Sequence, residues 1–223
     1  EISIIIPTYE EQENIPVLLD RALNVLQTNK INGEIVIVDD NSQDGTIEEI
    51  RRYPVKLIVR NKERGLALSC MEGFRYCRGD IIVVMDADLQ HPPEKIPALI
   101  DSIRNGCDIA IGSRYIGGNS PQNWSLGRKI ISKGALVLAD IVLSKTRGIK
   151  DKESGFFAFK KEIIQGVRLK PIGYKILLEI LVRGRYDKVE EISFEFGKRV
   201  AGKSKLSPTV MFLYIFHLIR LLR

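Results

Sequence analysis

Short apolar runs rich in Ile and Val alternate along the chain with longer stretches whose apolar residues recur every three or four positions. Ile2–Ile6, Glu34–Val38, Val55–Val59, Ile81–Met85 and Asp108–Gly112 have the length and β-branched content of strands. Several are apolar throughout, the pattern of parallel strands covered on both faces. Between them, the periodicity predicts helices over 14–28, 45–52, 66–77 and 93–105. This order predicts an α/β fold, a doubly wound and mostly parallel sheet with helices on both faces. Beyond residue 112 the rhythm changes. A long helix is expected over 126–143, a strand at Phe156–Lys160, a helix over 174–183 and a strand at Lys188–Phe194. Lys198–Ser207, rich in Lys, Gly and Ser, reads as a mobile basic loop.

The last stretch is different. Ser207 can serve as N-cap and Pro208 as first helical residue, followed by a nearly continuous apolar run from Val210 to Leu222. His217, Arg220 and Arg223 fall on one stripe at i, i+3 and i+6. The run is shorter than the roughly 20 residues needed to span a bilayer. An apolar helix with a basic stripe suits the membrane interface; docking on the protein's own core, or on a second copy, is the alternative. The expected organisation is therefore one domain over 1–206 and an amphipathic interface helix over 207–223. The sequence opens on Glu1 rather than Met and shows no signal-peptide pattern, so a trimmed chain is expected, with any transmembrane region beyond Arg223.

Length and composition fit this picture: 223 residues, 44% of them hydrophobic, make one large α/β domain. Charge adds something new. Residues 1–111 carry 12 Lys and Arg against 19 Asp and Glu, whereas residues 112–223 carry 22 against 9. The overall +6 thus hides an acidic front half suited to cations and a basic back half suited to anions. No nucleic-acid-binding motif accompanies the basic half, and nucleic acid is not an expected partner. Cys70, Cys77 and Cys107 have neither CxxC nor metal-ligand spacing; Cys70 and Cys77, seven apart on a predicted helix, are expected to be buried, and a reducing cytosol suits them.

Candidate chemistry sits where ligands bind in such sheets, beyond the carboxyl ends of strands. The first strand leads into Pro7-Thr8-Tyr9-Glu10-Glu11, which lacks the glycine-rich turn of a dinucleotide site and offers side chains to a base or ribose instead. The second leads into Asp39-Asp40-Asn41-Ser42. Here Asp40 is expected to meet a ligand, while Ser42 and Asp44 are expected to serve as turn and capping groups. The apolar strand ending at Met85 leads into Asp86-Ala87-Asp88-Leu89-Gln90-His91-Pro92-Pro93-Glu94. In an extended segment, alternation puts Asp86, Asp88 and Gln90 on one side, a set of oxygen donors suited to Mg²⁺ or Mn²⁺. Such an ion would leave coordination places for diphosphate oxygens. His91 is expected to be a turn or capping group.

These segments, with Gly112-Ser113-Arg114-Tyr115 and Ser154-Gly155-Phe156-Phe157-Ala158, resemble the GT-A glycosyltransferases of family 2 over essentially the whole chain. Within that family they look like the dolichyl-phosphate mannose synthases and related polyprenyl-phosphate glycosyltransferases. Glu10 departs from the Asn common at its position, and the Gln-x-x-Arg-Trp signature of polysaccharide synthases is absent. The resemblance implies that Pro7, Tyr9, Glu11, Val38 and Asp40 contact the nucleotide. It implies that Asp86, Ala87, Asp88 and Gln90 surround the diphosphate and metal. It further implies that Arg114, Arg128 and Ser132 take the lipid phosphate, that Arg199 and Lys205 clamp the donor diphosphate on a closing loop, and that Lys175 assists; Asp88, Arg114 and Arg128 would carry catalysis.

The implied reaction is an inverting transfer of mannose from GDP-mannose to dolichyl phosphate, at the cytoplasmic face of a membrane. A phosphate monoester acceptor, mostly dianionic at neutral pH, needs no general base. UDP-glucose with a polyprenyl phosphate is the alternative within the class. A nucleotidyltransferase or a non-catalytic nucleotide-sugar-binding module are the alternatives outside it.

Overall fold

The structure, a computed structural model, describes residues 1–61, 63–117, 134, 139, 143–197 and 216–221. Seven strands form one sheet: β1 (Ile2–Thr8), β2 (Gly33–Asp39), β3 (Lys56–Val59), β4 (Ile81–Val84), β5 (Ile109–Ser113), β6 (Phe157–Lys160) and β7 (Val189–Ser193). Their order is β3-β2-β1-β4-β6-β5-β7. All neighbouring pairs are parallel except those of β6, which runs antiparallel between β4 and β5. The chain winds outward from β1 to β3 and then crosses to β4 on the other side of β1. That reversal opens a crevice at the carboxyl ends of β1, β2 and β4, which is where such sheets bind ligands.

Helices α1 (Ile15–Thr28), α2 (Thr46–Ile50), α3 (Leu66–Tyr76), α4 (Ile96–Arg104) and α5 (Ile176–Arg183) cover the sheet. The period of two along β1 assigns its residues to opposite faces. Ile4 and Ile6 join Leu18, Leu19, Leu99 and Ile100 in one core layer, while Ile5 joins Cys70, Phe74, Leu177 and Ile180 in the other. Gly73 lets α3 approach closely, since a Cβ there would lie 2.6 Å from Ile5 Cγ2. The three cysteines are free and buried, as expected of Cys70 and Cys77.

Most predicted elements appear within a residue or two. The 93–105 stretch begins as a 3₁₀ turn (Pro93–Lys95) before α4. The helix expected over 126–143 lies outside the described residues except for Gly134 and Ala139, both helical, and for Leu143, which follows them. The basic loop from 198 and the first part of the last helix also lie outside.

The described helical segment 216–221 corrects the expected basic stripe. His217 faces inward: it is fully buried, and its Nε2 lies 2.8 Å from Glu179 Oε2 on α5. A buried carboxylate requires such partners, and Glu179 also accepts from Arg183 Nε and Lys170 N–H. Leu218 and Leu221 pack with Leu178, Ala139 and Leu143, whereas Phe216 and Ile219 are about half exposed. Among the described residues, no helix is long and apolar enough to cross a membrane.

Candidate active site

The first two strand ends brace each other. Asp39, fully buried, accepts from Thr8 Oγ1 (2.8 Å) and from the N–H and hydroxyl of Ser42 (2.7 and 2.8 Å). Ser42 Oγ in turn accepts the Glu10 N–H, and Thr46 Oγ1 accepts that of Glu11. Asp44 caps the start of α2 through the Thr46 N–H, as the sequence suggested. The turn between β1 and α1 is thereby fixed with Glu10 in the left-handed region (φ 55°). Tyr9 stands at its tip, donating to Glu10 Oε1 (2.7 Å), with Arg64 4.2 Å over its ring. The Glu10 bond, with some burial, pushes the Tyr9 hydroxyl above its usual pKa. Glu11 accepts from the Asn14 side chain at 2.6 Å.

Asp40 is buried and anchored: Oδ1 accepts from Arg60 and Ser69, and Oδ2 from the Gly65 N–H. A carboxylate has about four acceptor positions, so these bonds leave room for one more, on Oδ2. Val38 is fully buried beneath α3, its Cγ2 would lie 3.3 Å from a Cβ at Gly73, and its strand is paired on both sides. Pro7, also buried in β1, pairs with Val38 in register.

The third strand end carries the acidic tip. It is a bend rather than an extended segment: Leu89 has φ 62°, and the Gln90 N–H folds back to Asp88 Oδ1 (3.2 Å). The expected alternation therefore does not carry on from Asp88 to Gln90, because the left-handed Leu89 between them breaks the period of two. Ala87 is buried in the core, and Asp88 is 8% exposed. The Gln90 amide donates to Gly197 O (3.1 Å), and the Gly197 N–H returns a bond to Gln90 O (3.0 Å), tying the tip to the segment after β7.

Among the described residues, Asp86 Oδ1 is buried without a hydrogen-bond partner. Burial first, and the Asp88 charge second, raise the Asp86 pKa; His91, Arg114 and Lys175 oppose the rise. His91 is more than a turn residue. Its ring stacks on Phe156 (5.3 Å) and meets Phe194 edge-on (5.8 Å), and Nδ1 accepts the Asp86 N–H (3.1 Å). That bond puts the proton of a neutral ring on Nε2.

Arg114 follows β5 and forms a fork with buried Asp151, Nε to Oδ2 at 2.8 Å and Nη2 to Oδ1 at 2.6 Å, while its own N–H also meets Oδ2. The Asp151 charge and bonds outweigh the burial penalty and raise the Arg114 pKa. Lys175 Nζ pairs with Glu153 Oε2 at 2.9 Å. The structure thus brings Asp86, Asp88, Arg114 and Lys175 into one electrostatic cluster, with Tyr9, Glu11 and Asp40 on the neighbouring loops. Arg128, Ser132, Arg199 and Lys205 lie outside the described residues. Asp151 and Glu153 were not singled out from sequence; their alternation just ahead of Ser154-Gly155-Phe156 was the available sign. Among the described residues no three His, Cys, Asp or Glu side chains form a ready metal cluster.

The pattern of Glycosyl transferase family 2 matches residues 3–168. A dolichol-phosphate mannosyltransferase of Pyrococcus furiosus is 53% identical over 227 residues; the match covers all of this chain, which spans 64% of that protein's length. Dolichol-phosphate mannosyltransferases of Mycosarcoma maydis and Saccharomyces cerevisiae are 37% and 36% identical, covering 99% and 96% of this chain and 79% and 84% of theirs. Among solved structures, glucosyl-3-phosphoglycerate synthase from Mycobacterium tuberculosis, in complex with Mn²⁺, UDP-glucose and phosphoglyceric acid, superposes with a TM-score of 0.77 at 18% identity, over 99% of this chain and 79% of that one. The same enzyme with Mg²⁺ and UDP gives 0.74. These likenesses establish a shared fold.

Proposed function

The chain belongs to glycosyl transferase family 2, and we propose that it transfers mannose from GDP-mannose to a dolichyl or polyprenyl phosphate at a membrane surface, with inversion at the anomeric carbon and release of GDP. The observation that carries this reading is the acidic tip: a buried Asp86 oxygen without a partner among the described residues, beside Asp88 at the carboxyl end of β4, with Arg114 and Lys175 in its field. The names of the relatives support the choice of donor sugar and acceptor.

The tip fits a hard divalent cation. Two neighbouring carboxylates bring negative charge to one place, and among the described residues Asp86 keeps a buried oxygen with no hydrogen bond. Asp86 and Asp88 would hold the ion, with the Gln90 amide close by. When bound, Mg²⁺ or Mn²⁺ supplies positive charge to a leaving diphosphate. The chain's own residues do the rest. Tyr9, Glu11 and the remaining acceptor position of Asp40 offer contacts for base and ribose, with Pro7 shaping the strand end. Arg199 comes two residues after Gly197, which is bonded to the tip, so it and Lys205 are candidates to close over the diphosphate. Arg114, oriented by Asp151, contributes charge for the acceptor phosphate together with Arg128 and Ser132. Two anions must be held side by side, and this ring of cations offsets their repulsion. No residue need act as base, because the acceptor is already ionised at neutral pH, its second pKa being about 6. The half-exposed Phe216 and Ile219 support a membrane-facing position for the C-terminal helix, on the cytoplasmic side in this reading.

The test is transfer of labelled sugar from GDP-mannose, UDP-glucose and UDP-N-acetylglucosamine to dolichyl phosphate in detergent or vesicles. GDP-mannose should give lipid-extractable label, and Asp88→Ala should abolish it without loss of fold. Preference for UDP-glucose would reassign the donor. Release of inorganic pyrophosphate, or donor binding without turnover, would replace the reading altogether.

A further inference from the structure

The segment 151–155 touches Arg114, Lys175 and Asp86. Asp151 holds Arg114, and Gly155 lies against the acidic tip, where a Cβ would stand 2.6 Å from Asp86 Oδ2. Glu153 lies midway between them in sequence, and its charge is felt by Arg114. Its side chain is only 7% exposed. Oε2 is used by Lys175 at 2.9 Å, but Oε1 is buried with no hydrogen-bond partner among the described residues.

A carboxylate oxygen is an acceptor only, and leaving it buried and unbonded is costly unless a ligand supplies the donor. Lys175 already places one positive charge on this carboxylate, so a second cation there would be repelled. An anion would be repelled by Glu153 itself and by Asp86 and Asp88 nearby. What remains is a neutral donor. In the proposed reaction, the group between the diphosphate held at the tip and the phosphate held near Arg114 is the hexose, which carries several hydroxyls. Building on the hexosyltransferase reading, we infer that Glu153 is a specificity-determining residue: its Oε1 accepts a hydrogen bond from one ring hydroxyl of the transferred sugar, while Lys175 fixes the orientation of the carboxylate.

The experiment is a cycle between residue and hydroxyl. Transfer is measured with GDP-mannose and a series of its deoxy analogues, using the parent protein, Glu153→Ala and the isosteric Glu153→Gln, which preserves the packing should the alanine variant fold poorly. In the parent protein, deleting one particular hydroxyl should lower kcat/KM by roughly 10–100-fold, the worth of a bond to a charged acceptor. In the variants, transfer of GDP-mannose should fall by a similar factor. The penalty for that same deletion should shrink to about 3-fold or less, because the partner is gone. Binding of GDP alone and the Mn²⁺ dependence should be unchanged. Equal deoxy penalties in parent and variants would overturn the inference, as would a changed metal requirement, which would make Glu153 a cation ligand. Absence of hexose transfer by the parent protein would instead strike the underlying hexosyltransferase reading, and the inference with it.

Discussion

One missing methyl group keeps the acidic tip in place. Gly155 leaves room for the Asp86 carboxylate, because the nearest atoms to an added Cβ would be Asp86 Oδ2 at 2.6 Å and Cγ at 3.1 Å. Gly155→Ala should therefore displace the carboxylate from its present position. We expect at least a 10-fold loss of transfer, on the scale of a misplaced catalytic group, with a melting temperature lowered by only a few degrees. Activity and calorimetric unfolding on the same sample check both halves. At this scale the sequence was legible where chemistry shows in residue type: the strand end that carries Asp86 and Asp88 was foreseen, and both acids stand at it. It was weaker where a partner comes from far along the chain. Apart from their alternation ahead of Ser154, nothing local distinguishes Asp151 and Glu153 from surface acids until Arg114 and Lys175 are found beside them.

Elements were readable because several of the parallel strands are almost wholly apolar while the helices repeat every three or four residues. Direction was not. Phe157–Lys160 packs on both faces, as its parallel neighbours do, and only the pairing of Val83 and Ala110 with Ala158 reveals that β6 runs against β4 and β5. The bend at the tip was hidden for a similar reason, because a left-handed Leu89 has no signature in sequence. The segment 216–221 was read as amphipathic but turned the wrong way, since its histidine answers a buried acid on α5. Burial alone would raise the Glu179 pKa. The His217 bond, the Lys170 N–H and the charges of His217 and Arg183 outweigh it, and the carboxyl sits below its ordinary value. A depressed carboxyl stabilises the fold above its unfolded pKa of about 4.3, and that stabilisation is lost as the pH falls through the lower folded value. Glu179→Gln should therefore weaken docking of 216–221 by about 2 kcal/mol near neutrality, with little difference from the parent in strong acid. Hydrogen exchange of the 216–221 amides across this pH range reads the effect directly; unchanged protection at pH 7 would mean that Leu218 and Leu221 hold the helix without the polar triad.

Along the chain, acids are concentrated in the first half and bases after residue 112, and in the structure Asp39, Asp40, Asp86 and Asp88 stand at the ends of the early strands. The winding of the sheet explains why this matters: its reversal beside β1 gathers three acidic or polar loops at one crevice, while β5 and α5 deliver Arg114 and Lys175 to the same place. In the proposed reaction, a donor diphosphate entering that crevice would meet two carboxylates and require a divalent ion to settle there. Calorimetric titration of GDP into the protein, with Mn²⁺ and with a chelator, in the parent and in Asp88→Asn, measures that requirement without depending on the sugar or the lipid. Tight binding is expected only for the parent with Mn²⁺, with affinity falling at least 10-fold on chelation or substitution, the scale of losing a metal-anchored contact. GDP binding that is equally tight in all four conditions would contradict the account.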